Sequence, residues 1–148
     1  MCLTVSNKTP SIAVRDIVSY KVYIDVDNRY MSPFQKEYMP KLKEITTTSL
    51  QESGSPLQTS GLFAIHEGFH SFEFLSDAMN LAIILEEPII AKCVIPEGSK
   101  YYKGIVDSAP EQFIPGYCSE ALIVLSDNIK ISLLEKLKKF LSNLFCNS

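Results

Sequence analysis

Tryptophan is absent from these 148 residues, and only two histidines occur, His66 and His70. Bulk for a core must therefore come from 7 Tyr and 8 Phe. Without a third histidine, no all-histidine zinc site can form. The four cysteines, Cys2, Cys93, Cys118 and Cys146, are widely spaced and make no C-x-x-C pair. That spacing argues against a disulfide framework. Cys93 sits in an apolar run and reads as a small core residue. Cys2 would become an N-terminal nucleophile after Met removal, but no oxyanion-hole motif follows it, so the plain reading is the start of a segment. Basic runs are also lacking: the net charge is −3, and the only dense stretch is 136-KLKK-139. Duplex nucleic acid is thereby excluded as a partner. The apolar run 81-LAIIL-85 is far too short to span a bilayer, and the first fifteen residues lack a basic stretch followed by an apolar one. The expectation is a cytoplasmic protein without membrane contact.

What is present is an ordinary globular composition, 46% hydrophobic and 21% charged, long enough for one domain over residues 1–148. Ile17–Val26 alternates and is rich in β-branched residues, which predicts a strand. Its alternation sets Ser19, Lys21, Tyr23 and Asp25 on a polar face. Asp27-Asn28 is a turn signal, with 29–31 pairing back. Residues 34–60 are irregular, and 46–60, rich in Ser, Thr, Gly and Gln, reads as a flexible arm or loop. A helix is predicted from a Ser76 cap to Glu86-Glu87, with Asp77 in its first turn. Ile89–Ile95 is apolar on both faces and reads as a central strand. Lys100–Val106 and Ala121–Leu125 complete the strands. Residues 130–146 carry Ile131, Leu134, Leu137, Leu141 and Leu144 at helical spacing, which predicts a C-terminal amphipathic helix. The fold class read from this order is α+β, with a bent or split mixed sheet, one internal helix and that C-terminal helix.

Residues 66–70 read HEGFH, a literal H-E-x-x-H. In zinc hydrolases this spacing works because both imidazoles lie on one helical face and the Glu polarises bound water. Here Gly68 weakens a helix, Phe63/Ile65 and Phe72/Phe74 repeat at period two, and the helix cap comes after His70. The segment is therefore expected to be extended and turning, with no metal bound; a zinc hydrolase is the third-ranked function.

Three stretches, 20-YKVYIDVDNRYMSPF-34, 67-EGFHSFEFLSDAMNLA-82 and 89-IIAKCVIPEGSKYYKGIVDSAPEQFIPGYCSEALIV-124, together resemble a group of small uncharacterised domains of bacterial and phage genomes. Their order also resembles, loosely, the ADP-ribosyltransferase fold. That resemblance implies a cleft for an NAD-like nucleotide. Tyr20 or Lys21 would hold the early-strand position, where the family has Arg or His. His70-Ser71-Phe72 would lie beside the nicotinamide slot, and Glu120, or secondarily Glu111, would be the late carboxylate. The residues themselves add Gly61, Gly68, Gly98, Gly104 and Gly116 at strand ends and Tyr101, Tyr102 and Tyr117 as stacking faces. The leading expectation is thus a nucleotide-binding domain, of NAD or ADP-ribose type, with Glu120 and His70 as catalytic candidates and Tyr20, Lys21, Tyr102 and Tyr117 as ligand contacts. The alternative from another class is a phage-borne module that binds and modulates a host or defence protein.

Overall fold

The structure, a computed structural model, describes residues 2–33, 37–58, 60–106 and 113–127. Along the chain these form β1 (Leu3–Val5), β2 (Ser11–Ile12), β3 (Ile17–Val26), β4 (Arg29–Met31), β5 (Ile45–Thr47), β6 (Ser55–Pro56), β7 (Phe63–Ile65), β8 (Phe69–Phe72), α1 (Leu75–Ile83), β9 (Pro88–Ile95), β10 (Lys100–Val106), β11 (Ile114–Ser119) and β12 (Ala121–Ser126). All the strands join one sheet, in the order β5-β12-β9-β3-β8-β11-β10-β1-β7-β6, with β2 on β10 and β4 on β3.

This overturns the α+β, ADP-ribosyltransferase-like expectation. Every strand pairing among the described residues is antiparallel, so the sheet is not mixed, and α1 is the one helix among them. The fold is dominated by antiparallel β structure. The proposed C-terminal helix, 130–146, lies outside the described residues. The irregular stretch after residue 34 misled the reading, because it supplies two further strands, β5 and β6. Parallel pairs need long crossover connections. The α1 connection is such a crossover, but β3 lies between the two strands it joins, β8 and β9.

β3 organises the sheet. It pairs with β9 in unbroken register from Ile17↔Ile95 to Ile24↔Pro88. Its turn into β4 uses Asp27 and Asn28 at φ 52° and 65°, the left-handed region these two residue types tolerate best after Gly. β9 does not pair with β10, although only Pro96–Ser99 separates them.

The sheet must curl. Following the antiparallel pairings from β12 through β9, β3 and β8 to β11 gives β11 and β12 the same direction. They lie four strand spacings apart along that path, about 19 Å in a flat sheet. Yet only Glu120 separates Ser119 from Ala121, a Cα span of at most about 7 Å. So β11 and β12 are one bent strand, and Glu120 is the corner at which it changes partners. The five strands form a barrel-like ring, closed as orthogonally packed sheets are closed.

Two cores follow. Inside the ring lie Tyr23, Phe69, Ile89, Ala91, Cys93, Ile95, Tyr117, Leu122 and Val124. On the opposite face, Val22, Phe72, Ile90 and Cys118 pack with Leu3, Val5, Ile65, Tyr102 and Val106 and with Ala78 and Ala82 of α1. Burial of each large apolar side chain there contributes about 1.5–3 kcal/mol. α1 begins one residue before the expected Ser76 cap. Phe74 is its N-cap and makes no side-chain cap bond, while Asp77 does sit in the first turn. A nine-residue helix is marginal by itself, so the packing of Ala78 and Ala82 on the sheet holds it.

Candidate functional site

Within the polar alternation of β3, Asp25 faces solvent but Ser19, Lys21 and Tyr23 do not. With β3 and β9 in continuous register, Ser19, Lys21 and Tyr23 lie opposite Cys93, Ala91 and Ile89, which belong to the ring core. Ser19 and Tyr23 are fully buried, and Lys21 is 4% exposed. Taking an ammonium out of water costs several kcal/mol unless it is compensated. Nζ of Lys21 donates to the His70 carbonyl oxygen at 2.9 Å. It also lies 2.9 Å from Oε1 of Glu37, as an ionic contact that lacks hydrogen-bond alignment. The Tyr23 ring centroid is 5.7 Å from Nζ.

Among the described residues, four buried side-chain oxygens have no hydrogen-bond partner: Ser19 Oγ, Tyr23 OH, Ser71 Oγ and Glu37 Oε1. The Tyr20↔Phe72 pairing sets Ser71 across from Lys21, on the same face. Buried hydroxyls without partners are uncommon, because each forfeits about 1–3 kcal/mol of solvation. Burial is also the main cause that pushes the Tyr23 hydroxyl well above the usual phenol range. It pushes the Cys93 thiol up to about 12, against the pull of Lys21. The ring interior therefore holds one cation, a half-buried carboxylate reaching in beside it, and a set of neutral hydroxyls with spare capacity.

His70 faces the other core. Its Nε2 is 3.2 Å from the Ile65 carbonyl oxygen and its Nδ1 is 3.2 Å from that of Gly68. A neutral imidazole donates from one nitrogen only. Nδ1 also lies 3.9 Å from Cys118 Sγ, while that thiol donates to the Glu67 carbonyl at 3.3 Å. Desolvation lowers the His70 pKa to about 4, with the Lys21 charge acting in the same direction and the carbonyl contacts opposing it. Burial raises the Cys118 thiol to about 12. A nucleophilic Cys-His pair needs the reverse, a low thiol and an accessible base. At neutral pH these two groups are a packed neutral pair.

The HEGFH segment is a turn leading into β8, not a helix. Gly68 has φ +136°, and a Cβ there would come within 2.5 Å of Cys118 Sγ. The glycine serves both the turn and the close approach. His66 is exposed, and its backbone N–H donates to Gln51 Oε1 at 2.9 Å. Among the described residues, no three His, Cys, Asp or Glu side chains are grouped to hold a metal ion.

The six residues expected to form one site are divided. Lys21 and Tyr117 belong to the ring interior, where Tyr117 meets Tyr101 edge-on at 6.0 Å. Burial raises the Tyr117 hydroxyl to about 12. Tyr20, His70 and Tyr102 belong to the opposite face. Tyr102 OH donates to the Gln51 carbonyl at 2.7 Å. Lys21 touches His70 only through its backbone carbonyl. Glu120 is the corner residue, and its Oε1 accepts the Lys100 N–H at 2.9 Å. It borders an open cleft of about 810 Å³, which Gln51, Glu52, Glu67 and Lys100 also line. Part of the 46–60 stretch is tied down beside this cleft: Thr48 N–H donates to the Glu120 carbonyl at 2.8 Å, and Gln51 N–H to the Glu67 carbonyl at 3.3 Å.

Comparisons of the chain with protein-family models, with curated proteins and with solved structures find no match. Sequence reasoning missed Glu37, Ser19 and Tyr23, and set Ser71 only beside a nicotinamide slot, not across from Lys21. One signal was available for the residues of β3: Ser19 and Tyr23 flank Lys21 at period two on a ten-residue strand whose other face is also apolar. A long strand in mid-sheet is covered on both sides, so its polar residues point into the protein. No element of helix among the described residues is long and apolar enough to cross a membrane.

Proposed function

We propose that this protein binds a small molecule through one anionic group, received at the Lys21 ammonium inside the ring. A small ligand with one such group is the form of the nucleotide-like expectation that the site supports best. An NAD-type pyrophosphate would bring two negative charges to one ammonium, and Lys21 is the only buried Lys or Arg among the described residues.

The observation that carries this reading is the incomplete satisfaction around Nζ. An ammonium has three donors. One is aligned on the His70 carbonyl, and the Glu37 contact is unaligned. Hydroxyls of Ser19, Tyr23 and Ser71 stand on the same face without partners. Access follows from the ion pair itself. The Glu37 side chain is 28% exposed and its buried Oε1 touches Nζ of a lysine side chain that is 5% exposed, so Glu37 links Nζ to the surface. A bound anion would gain a charge-assisted hydrogen bond, shorter and about twice as strong as a neutral one.

Thermal denaturation with a panel of carboxylates, phosphodiesters, NAD and ADP-ribose tests the reading. A ligand at a hundredfold excess over its Kd stabilises by about 2.7 kcal/mol. That gain should vanish in Lys21→Met. Absence of stabilisation by every anion in the panel would reject the proposal.

A further inference from the structure

We infer that Glu37 is the protein's own occupant of this site, and that the ligand is a carboxylate that takes its place. The inference rests on the Lys21 reading and adds the ligand's class and the means of control. Glu37 approaches from outside the ring strands and sets Oε1 2.9 Å from Nζ. It makes that contact off the hydrogen-bonding directions, and among the described residues no other group hydrogen-bonds to that oxygen. A carboxylate built to hold a structural lysine is normally hydrogen-bonded on its remaining lone pairs. The buried Oε1 of Glu37 is not, among the described residues, although Ser19, Tyr23 and Ser71 offer hydroxyls in the same interior.

Charge and position both select a carboxylate. The buried cationic charge is one, since Lys21 is the only buried Lys or Arg among the described residues and His70 is held neutral. A monoanion in place of Glu37 keeps the interior neutral, whereas a phosphate dianion leaves it negative. The Glu37 carboxylate already sets one oxygen 2.9 Å from Nζ. A free carboxylate, not tethered to the chain, can turn to align on Nζ and accept from the unpartnered hydroxyls. Glu37 then swings out to solvent, where its side chain is already 28% exposed.

Competition of this kind has a definite signature. A site filled by its own side chain for about nine-tenths of the time binds ligand about tenfold more weakly than the emptied site. The test is titration of acetate and of dimethyl phosphate into the full chain, the Glu37→Gln variant and the Lys21→Met variant, followed by amide chemical shifts of residues 19–23 and 69–72. Glu37→Gln keeps the side chain's shape, and its dispersed amide spectrum shows that it is folded. Acetate should bind Glu37→Gln about tenfold or more tightly than the unaltered chain, saturably, and not bind Lys21→Met. Equal acetate affinity in folded Glu37→Gln and the unaltered chain would overturn the inference. Lys21-dependent binding of dimethyl phosphate without acetate would overturn the ligand class and leave the anion site standing. Binding of neither would remove both.

Discussion

In the middle of β3, around Lys21, Val22 and Tyr23, both faces are buried, but by different means. The face with Val22 is closed by apolar packing: Phe72, Ile90 and the small residues of α1 meet it directly. The face with Ser19, Lys21 and Tyr23 is closed by the curl of the sheet, and polar atoms are shut in with the apolar ones. Packing leaves a side chain nothing further to do. Enclosure of polar groups leaves unmet hydrogen-bonding capacity, and that capacity separates a candidate site from a core. The same strand shows both outcomes at alternating residues.

The largest expected effect lies on the packed face. Phe72 is 3% exposed and belongs to the core that α1 covers. Phe72→Ala should cost about 3–5 kcal/mol, by lost transfer energy and the cavity left behind. Urea denaturation measures this. A loss below about 1 kcal/mol would mean that the helix side is not the well-packed half.

His70 supplies the next effect. Its native pKa, about 4, lies below the ordinary 6.5. The unfolded chain therefore takes up a proton first as pH falls. The stability from this group is complete above pH 6.5, declines between 6.5 and 4, and is gone below. A shift of this size corresponds to about 3 kcal/mol. Comparing the pH dependence of stability in the unaltered chain and in His70→Gln isolates that share from the carboxylates. Parallel curves from pH 7 to 4 would show that burial does not hold the imidazole neutral.

On the enclosed face, the sign should reverse. Lys21→Met replaces a desolvated ammonium by an apolar chain of similar length and leaves Glu37 free to reach solvent. Replacing buried ion pairs with apolar residues is often neutral or stabilising by about 1–4 kcal/mol. Lys21→Met is accordingly expected to melt no lower than the unaltered chain while losing anion binding. A loss of several kcal/mol would instead make Lys21 a structural pillar.

How much of this was legible in the sequence depends on which physical rule was local. β3 stands at the expected residues 17–26, and the Asp27-Asn28 turn returns into β4 as its left-handed preference requires. β9 was readable as a central strand because it is apolar on both faces. These features rest on period and turn chemistry, which neighbours in sequence determine. The curl is not local. It depends on Glu120 falling between two strand segments that pair with different partners, and no periodicity marks a change of partner. The burial of Lys21 was not readable for the same reason: alternation tells which residues share a face, not which side of a curled sheet that face becomes. Glu37 was out of reach altogether, since only tertiary structure brings it to Lys21.

The smallest effect concerns whether the two faces communicate. Lys21 projects into the ring, yet it donates to the His70 carbonyl, and its charge is one of the causes holding the His70 pKa down, after burial. Removing the charge should therefore let His70 titrate slightly higher, by much less than the shift that burial supplies. NMR titration of the imidazole in Lys21→Met measures this directly. The same link predicts that an anion bound at Lys21, by offsetting its charge, moves His70 upward too. If His70 titrates identically with Lys21 present, replaced or bound to an anion, the faces are electrically separate. The ring interior would then act without any consequence for the helix-covered core.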